Sequence, residues 1–216
     1  MTEPTPLRID FVSDVSCPWC AVGLASLERA LDALKDEVCA EIHFQPFELN
    51  PQMAPEGEDV GEHIAKKYGM TRAQLAQNQE AIRQRGAAVG FTFAHQDTRR
   101  IYNTFDAHRL LHWAEDTGRQ HALKRALLAA YFTDGEDVGD REVLARVAEA
   151  VGLDGAEARS MLASDRYAQD VRAQEQFFQR AGIHSVPAII INRQHLISGG
   201  QPPEVFEQAL RQVAGG

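Results

Sequence analysis

Two cysteines near the amino end of the chain are the residues whose types and spacing point most directly to chemistry. Cys17 and Cys20 stand in the stretch CPWC, and Cys39 is the third cysteine of the sequence. A C-x-x-C pair serves as a redox couple or as half of a zinc site, and two close thiols can also be inert core residues. Zinc would need two further ligands, and no second C-x-x-C is present. The spacing therefore favours redox chemistry over the other two interpretations.

The place of the pair in the chain predicts a different role for each thiol. Cys17 stands where a predicted strand gives way to a predicted helix, and Pro18 suits the first helical position. The free N–H groups at that helix end favour a thiolate, which is the form of cysteine that attacks a disulfide. Cys20, one turn further into the helix, can then resolve the mixed disulfide. Pro18 and Trp19, between the two thiols, are candidate substrate-binding residues.

The stretch GIHSVPAIII is the second candidate for the site. A proline at the mouth of a strand can be held in the cis form, and a cis bond is usually kept for a reason. A cis Pro187 would turn the backbone of Val186 outwards, where its N–H and C=O could bind an extended thiol or disulfide partner. An ordinary trans proline at the start of an edge strand would give the same sequence, so both interpretations stand at this point.

The elements around these two stretches predict an α/β architecture. The run LRIDFV at 7–12 indicates a buried strand, the leucines after Pro18 indicate an amphipathic helix, and the alternation in VCAEIHF indicates a half-buried strand. Near the end of the chain, PAIII and HLIS predict a hairpin that is followed by a helix with prolines in its first turn. Because a hairpin with one helix cannot bury its apolar face alone, the βαβ and ββα halves are expected to share one sheet.

The segment between the two halves has a different pattern. From about 59 to 180, apolar residues recur at helical spacing and short glycine-containing stretches separate them, which predicts a helical block without strands of its own. We therefore expect two domains. Residues 1–58 and 181–216 form the α/β unit, and residues 59–180 form a helical insertion.

The composition excludes several classes of partner and site. The chain has 216 residues and a net charge of -9, whereas nucleic acids and anionic membranes attract basic surfaces. No apolar run is long enough to span a bilayer, and no leader pattern precedes the first strand. Three cysteines make no disulfide framework. We expect a cytoplasmic protein, a monomer or a homodimer, in which any disulfide is transient and functional.

Taken in order, these motifs resemble those of a known family. CPWC at a strand–helix junction, a helical insertion, GIHSVPAIIIN and a ββα end resemble the DsbA-like branch of the thioredoxin superfamily. The stretches FVSDVSCPWCAVG, FELNP, NTFDAHRLLHWA and ISGGQPPEVFEQAL resemble its FrnE-like members, which are related to 2-hydroxychromene-2-carboxylate isomerase and kappa-class glutathione transferases. The resemblance implies a thioredoxin-like fold, an attacking Cys17, a resolving Cys20, a cis Pro187, and an insertion that forms a lid over the pair.

The resemblance and the two cysteines together predict a thiol–disulfide oxidoreductase of the reductase or isomerase type. Glutathione-using relatives typically have serine at the position of Cys17 and lack the resolving cysteine, whereas this chain has cysteine at both positions. No bound cofactor is expected, and the expected partners are disulfide-containing proteins or small thiols, with glutathione as a co-substrate. The alternatives are a glutathione-dependent isomerase or transferase that acts on a small aromatic compound, and a non-enzymatic partner-binding module.

Two acidic residues near the pair have two interpretations each. Asp14 could relay protons to the cysteines, or it could cap the start of the helix, where carboxylates are favoured. Asp10 lies within the first strand. As a buried acid it could assist proton transfer to Cys20, and if it faces solvent it has no such role.

Four further residues are candidates for substrate binding. Asn103 and His108 match a family motif on the insertion helix and could contact substrate in a cleft, although His108 could equally be a hydrogen-bonded residue of the helix surface. Ser198 and Gln201 enclose two glycines before a helix start, which suits a carboxylate such as the γ-glutamyl end that glutathione-binding relatives receive there. The glycines also suit a plain strand-to-helix turn. Cys39 is expected to be a spectator, and no metal site is expected.

Overall fold

The protein is described by a computed structural model that covers residues 3–94 and 100–215. Strands at both ends of the chain enclose a long, mostly helical middle. The elements in chain order are β1 (Thr5–Ser13), α1 (Pro18–Ala33), β2 (Val38–Pro46), β3 (Glu58–Asp59), α2 (Val60–Tyr68), α3 (Arg72–Ala88), β4 (Arg100–Ile101), α4 (Phe105–Trp113), a 3₁₀ turn (Glu115–Thr117), α5 (Gln120–Phe132), α6 (Arg141–Ala150), α7 (Gly155–Ala163), α8 (Ala168–Arg180), β5 (Ala188–Ile191), β6 (His195–Ser198) and α9 (Pro203–Ala214).

The two ends of the chain form one mixed sheet in the order β2-β1-β5-β6. β1 runs parallel to β2 and antiparallel to β5, so that Ile9 lies between Ile42 on one side and Ile191 on the other. The hairpin of β5 and β6 turns through Asn192 and Arg193, which both have positive φ. The expected union of a βαβ half and a ββα half in a single sheet is confirmed.

The sheet carries helices on both faces because successive side chains of a strand point to opposite sides. Phe11 of β1 is fully buried on the face that α1 and α9 cover. Its neighbour Val12 lies on the other face, in a cluster with Phe178 of α8. Within α1, the apolar positions recur at helical spacing and the buried ones point towards the sheet. These contacts fix the start of α1 against the ends of β1 and β5.

The middle of the chain is not purely helical, and the prediction of a block without strands is wrong. The two short strands β3 and β4 pair antiparallel, with Glu58 opposite Ile101. Gly57 precedes β3 with a φ of +67°, and a Cβ atom at this position would collide with the carbonyl oxygen of Ile101. Strands of two residues contain too few positions for an alternating pattern, so the sequence does not reveal them. None of the helices in residues 3–94 and 100–215 is long and apolar enough to cross a membrane.

Candidate active site

The start of α1 sets the position of the first thiol. Cys17 is the N-cap residue with extended backbone (φ -91°, ψ 114°), and Pro18 takes the first helical position, as predicted from the sequence. The carbonyl oxygen of Cys17 accepts hydrogen bonds from the N–H groups of Cys20 (3.0 Å) and Ala21 (3.3 Å). No side chain of the described residues caps this helix end. The positive end of α1 therefore meets the Cys17 side chain without a competing acceptor among them.

The loop before β5 reaches the same thiol from the far end of the sequence. The Sγ atom of Cys17 donates to the carbonyl oxygen of Val186 at 3.7 Å. The peptide bond between Val186 and Pro187 is cis. Pro187 is buried against α1, where a Cβ atom at Gly23 would lie 3.1 Å from the proline Cγ atom. The glycine in α1 thus permits the close approach that brings the Val186 backbone to Cys17.

Cys20 is in a different environment from Cys17. Cys20 has no exposed surface, whereas Cys17, which is 4% exposed, lies at the wall of a cavity. Burial raises the pKa of the Cys20 thiol well above the ordinary value of 9.0, and the neighbouring Cys17 thiol raises this pKa further. Cys20 is therefore a protonated thiol at neutral pH until another group removes its proton.

A cavity of about 670 Å³ opens beside Cys17. Pro18, Trp19 and Val186 belong to its wall, together with Cys17 itself. Helices α2 and α3 supply much of the opposite side, so the insertion covers the first thiol. The walls are largely apolar. Its apolar and aromatic side chains include those of Phe47, Leu49, Val60, Ile64, Tyr68, Met70, Leu75, Ile82, Ile101 and Tyr131.

The rim of this cavity also contains polar residues that the sequence analysis did not select. Lys67 donates from Nζ to the carbonyl oxygen of Leu49 (3.0 Å) and to Oδ1 of Asn50 (2.8 Å). His63 lies between Asn50 Oδ1 (3.0 Å) and a carboxylate oxygen of Glu58 (2.6 Å). These contacts tie α2 to the segment after β2, which holds the cavity wall in place.

Asp14 is buried below the start of α1. Its carboxylate accepts hydrogen bonds from the N–H groups of Ser16 (3.2 Å) and Leu49 (2.8 Å), and its Oδ1 lies 3.6 Å from Nε2 of His108. Burial alone would raise the pKa of Asp14, but His108 and the two N–H groups more than offset this and hold the pKa below its ordinary value of 3.8. The helix-cap interpretation of Asp14 is wrong, because Cys17 occupies the N-cap and the carboxylate bonds outside the helix.

His108 and Asn103 lie elsewhere than predicted. His108 is on α4 but only 2% exposed, and it faces Asp14 rather than the cavity or the helix surface. Asn103 precedes α4, where its side chain accepts from the N–H of Phe105 (2.9 Å) and donates to the carbonyl oxygen of Met53 (3.3 Å). Neither residue lines the cavity beside Cys17, since tertiary packing directs the start of α4 into the core.

Asp10 is buried, but the structure does not bring it to Cys20. Its carboxylate pairs with Arg8 at 2.7 Å and accepts a hydrogen bond from Gln45 at 2.8 Å. Asp10 shares its sheet face with Val12 and α8, and the neighbouring Phe11 points to α1 on the other face. Both predicted alternatives for Asp10, a relay to Cys20 and a solvent-facing side chain, are therefore wrong.

The turn that contains Ser198 and Gln201 does not face the cavity. Nε2 of Gln201 donates to the carbonyl oxygen of Ser198 (2.8 Å), and the N–H of Gly199 donates to the carbonyl oxygen of Pro187 (2.8 Å). Gly199 has a φ of +82°. A Cβ atom at Gly200 would lie 2.7 Å from the carbonyl oxygen of Trp19. These contacts fit the strand-to-helix turn, which packs against the first turn of α1.

Lys124 is a further residue that the sequence analysis did not select, and it is coupled electrostatically to the thiols. It lies on α5 with a fully buried side chain, and the groups that act on its pKa are Cys20, Asp14 and Cys17. Burial lowers the pKa of the Lys124 amine, and these three groups raise it in part. A signal was present in the sequence, because Lys124 is aligned at helical spacing with Leu127 and Leu128 on the apolar face of α5.

Among the residues that the structure describes, Cys39 and the histidines away from the cavity belong to no cluster of metal-ligating side chains. Cys39 is exposed on β2 and pairs with Pro6 near the start of β1, whereas Cys17 follows the opposite end of β1. His108 and His112 stand four positions apart on α4, a spacing that can occur in metal sites. Within residues 3–94 and 100–215, however, no group of three histidine, cysteine, aspartate or glutamate side chains is placed to hold a metal ion.

The solved structures that this fold resembles include a probable oxidoreductase and a disulfide reductase. The probable DsbA oxidoreductase SCO1869 of Streptomyces coelicolor matches with a TM-score of 0.90 and 38% identity, over 97% of this chain and 90% of that one. The cytosolic disulfide reductase DsbM of Pseudomonas aeruginosa, solved with GSH, matches with a TM-score of 0.65 and 16% identity, over 97% of this chain and 100% of that one. The second likeness is one of fold.

Two sequence comparisons cover almost the whole chain. The uncharacterized protein YwbO of Bacillus subtilis strain 168 is 31% identical over 208 residues, which are 94% of this chain and 96% of that protein. The family model described as a DSBA-like thioredoxin domain matches residues 8–211. This match includes strands from both ends of the chain, the cysteine pair and the insertion. The chain belongs to the family of proteins with a DSBA-like thioredoxin domain.

Proposed function

We propose that this protein is a thiol–disulfide oxidoreductase in which Cys17 attacks and Cys20 resolves. The observation that carries the proposal is the different environment of the two thiols. Cys17 stands at the N-terminus of α1 on the wall of a cavity, and Cys20 lies fully buried behind it. A substrate disulfide can thus reach the first sulfur, and only an internal step can involve the second.

The reaction then proceeds in two steps. The Cys17 thiolate bonds to one sulfur of the substrate disulfide, and the other substrate sulfur leaves as a thiolate with the electron pair of the broken bond. Cys20, after losing its proton, bonds to the Cys17 sulfur and releases the second substrate thiolate. The substrate disulfide is reduced to two thiols, and the dithiol of the protein is oxidised to a disulfide. The positive end of α1 lies at the Cys17 residue that begins the reaction.

We propose that an extended segment of the partner docks on the backbone of Val186. Its carbonyl oxygen lies 3.7 Å from the Cys17 sulfur, so an extended segment bonded to this backbone would present its own sulfur to Cys17. The cavity of about 670 Å³ is within the range of small-ligand sites, roughly 300 to 1,000 Å³. It can hold either a side chain next to the partner's cysteine or a small thiol such as glutathione.

The proposed direction is reduction or isomerisation in the cytoplasm. The fold-level likeness to a protein named as a cytosolic disulfide reductase and solved with GSH supports this direction. A cytoplasmic thiol pool keeps such a pair largely reduced, which makes the dithiol the resting form. The partners proposed are therefore disulfide-containing proteins, with glutathione as the co-substrate that returns the pair to its reduced state.

Reduction of insulin by dithiothreitol, followed by turbidity, tests this function. The parent protein should accelerate the reaction, Cys17→Ser should abolish the acceleration, and Cys20→Ser should reduce it strongly. Cys39→Ser is the matched control, because its thiol is exposed and lies at the end of the β1–β2 pair opposite to Cys17, and it should behave like the parent. Full activity of Cys17→Ser would refute the proposal.

A second candidate is a glutathione-dependent isomerase or transferase for a small aromatic compound. The apolar walls of the cavity beside Cys17 favour it, since an aromatic ring would be desolvated there. This chemistry would need Cys17 and bound glutathione but no resolving thiol. Turnover of a chromene or halogenated aromatic by Cys20→Ser in the presence of glutathione would support it, and absence of turnover in the parent protein would exclude it.

A further inference from the structure

Lys67 of α2 is the one lysine or arginine that the described residues contribute to the wall of the cavity beside Cys17. Its Nζ atom donates to the carbonyl oxygen of Leu49 (3.0 Å) and to Oδ1 of Asn50 (2.8 Å), so two of its three N–H groups are occupied. Both of these partners are neutral, and no carboxylate within residues 3–94 and 100–215 forms an ion pair with Lys67. The third N–H group of this cation is therefore left for a ligand.

Three successive hydrogen bonds join this lysine to the attacking residue. Leu49, whose carbonyl oxygen accepts from Lys67, donates its N–H to Oδ2 of Asp14 at 2.8 Å. The carbonyl oxygen of Asp14 in turn accepts the N–H of Cys17 at 3.3 Å. Lys67 and Cys17 also line the same cavity of about 670 Å³. The place of the ammonium group relative to the first thiol is thus fixed by contacts with the segments around the cavity.

The acidic residues of this region do not balance the charge of Lys67. Glu48 is the one acid that the described residues contribute to the cavity wall, and its side chain, which is 2% exposed, forms an ion pair with Arg172 of α8. Glu58, before α2, pairs with His63 at 2.6 Å. The chain as a whole has a net charge of -9. A cavity wall with an unpaired positive charge therefore differs from the protein as a whole, and it attracts an anionic ligand.

We propose that Lys67 binds a carboxylate of the disulfide substrate while Cys17 attacks the sulfur. The inference rests on the proposed exchange reaction and names its substrate class, which is disulfides that carry a carboxylate close to the reacting sulfur. Such a substrate has two points of attachment, the backbone of Val186 beside the thiol and the ammonium group of Lys67 on α2. Two fixed points orient the substrate, and orientation accelerates the attack. The carboxylate takes no part in the bond changes of the exchange, which remain those between sulfur atoms.

A series of three small disulfides of similar size tests this selectivity in a Cys39→Ser background. 3,3′-Dithiodipropionate is anionic, bis(2-hydroxyethyl) disulfide is neutral, and cystamine is cationic. Each disulfide is mixed with the reduced protein, and the rate of protein oxidation is read from the intact mass after quenching with N-ethylmaleimide. The rate for each variant is divided by the parent rate with the same disulfide, so that differences in the intrinsic reactivity of the disulfides cancel.

Lys67→Met removes the charge and keeps a side chain of similar length. The rate with dithiodipropionate should fall about three- to tenfold, as expected for the loss of one charged hydrogen bond near the surface, and the rate with cystamine should rise. Both changes should shrink at high salt, which screens exposed charges. Lys67→Arg should retain the preference for the anion. Lys66→Met is the matched control, because Lys66 is the neighbouring exposed lysine of α2 and lies outside the cavity wall. Its ratio of anion to cation rates should stay within about twofold of the parent ratio.

Two peptide disulfides identify the source of the carboxylate. The homodimers of acetyl-Gly-Cys-Asp-amide and acetyl-Gly-Cys-Asn-amide differ in one charge next to each cysteine. A faster reaction of the aspartate peptide that is lost in Lys67→Met supports a polypeptide as the substrate. A Lys67-dependent advantage that is confined to dithiodipropionate supports a small acidic thiol instead.

The remaining outcomes would overturn the assignment. Equal slowing of all three small disulfides in Lys67→Met would show that Lys67 only ties α2 to the segment after β2. The same loss of selectivity in Lys66→Met would show a diffuse electrostatic effect in place of a contact, and an unchanged rate ratio in Lys67→Met would remove Lys67 from substrate selection. Failure of all three disulfides to oxidise the parent protein would instead refute the exchange reaction itself.

Discussion

The Sγ atom of Cys17 lies 3.7 Å from the carbonyl oxygen of Val186, although 169 positions separate the two residues in the chain. The contact joins the start of α1 to the loop before β5. It exists because β1 and β5 are neighbours in the sheet and because Gly23 lets Pro187 approach α1 closely. The attacking sulfur and the proposed docking backbone are thus held by the core of the fold rather than by the insertion.

The cavity beside Cys17 should control access to the thiol. Ile64→Trp would place an indole in a cavity of about 670 Å³ that Ile64 lines. We expect kcat/KM for a disulfide substrate to fall about tenfold, equivalent to ~1.4 kcal/mol, while the reaction of Cys17 with a very small reagent such as iodoacetamide changes little. Leu196→Trp is the control, because Leu196 is exposed on β6 and lies outside the cavity wall. Equal kinetics of the two variants would contradict this role of the cavity.

A side chain at Gly200, in the turn before α9, should destabilise the fold. A Cβ atom there would lie 2.7 Å from the carbonyl oxygen of Trp19, a contact that requires the backbone to move. Gly200→Ala is expected to lower the free energy of unfolding by about 1–3 kcal/mol. It should also slow attack by Cys17, because Trp19 belongs to the first turn of α1, which begins at Cys17. Gly215→Ala, at the end of α9, should cost less than about 0.5 kcal/mol. Urea unfolding measures both, and a smaller loss for Gly200→Ala than for Gly215→Ala would contradict this packing.

Asp14 should stabilise the fold only while it is ionised. Its pKa in the folded state is below the ordinary value of 3.8. The stabilisation is therefore complete above the pKa of the unfolded chain and is lost as the pH falls through the lower folded value. Asp14→Asn should lower the free energy of unfolding by about 2 kcal/mol at pH 7, and the difference from the parent should shrink in acid. The exposed control Asp36→Asn should match the parent. A deficit of Asp14→Asn that stays constant down to acid pH would refute this account.

The three thiols should differ in their reactivity towards alkylating reagents. Cys39 is exposed, Cys17 lies at the cavity wall, and Cys20 is fully buried with a raised pKa. Because thiolates are the reactive form, reduced protein treated with iodoacetamide at neutral pH should be modified at Cys20 last. Peptide mass spectrometry gives the order directly. Modification of Cys20 as fast as Cys17 would show that the resolving thiol is not protected as described.

The sequence predicted well what depends on local patterns. The alternation in β2, the apolar stripe of α1 and Pro18 at its first position are short-range features, and together they suffice to place Cys17 at a helix start. The pairing of the two ends of the chain followed from the need to bury one hairpin and one helix. The β3–β4 pair was not predicted, because strands of two residues show no detectable alternation of apolar and polar residues.

The polar interior of the site was predicted poorly, because it depends on how distant elements pack. Asp10 and Asp14 are both acidic residues close to the cysteine pair in the sequence. Asp10 pairs with Arg8, whereas Asp14 is buried just before α1 and faces His108. The buried Phe11 beside Asp10 already implied that Asp10 points to the opposite face of the sheet. Lys124 is more than a hundred positions from Cys17 and Cys20, and only the packing of α5 against β2 and α1 brings it into the same part of the core. Its place in an apolar helix stripe was the one available signal.

Intact-mass measurement of the Cys20→Ser variant tests the division of labour between the two thiols most directly. After the reduced protein, in a Cys39→Ser background, is mixed with an excess of oxidised glutathione, a mixed disulfide should accumulate on Cys17, and the parent with both thiols should instead proceed to an internal disulfide of Cys17 and Cys20. The reciprocal Cys17→Ser variant should remain unmodified over the same time. Accumulation of glutathione on Cys20 in the Cys17→Ser variant, at the rate seen for Cys17, would contradict the account.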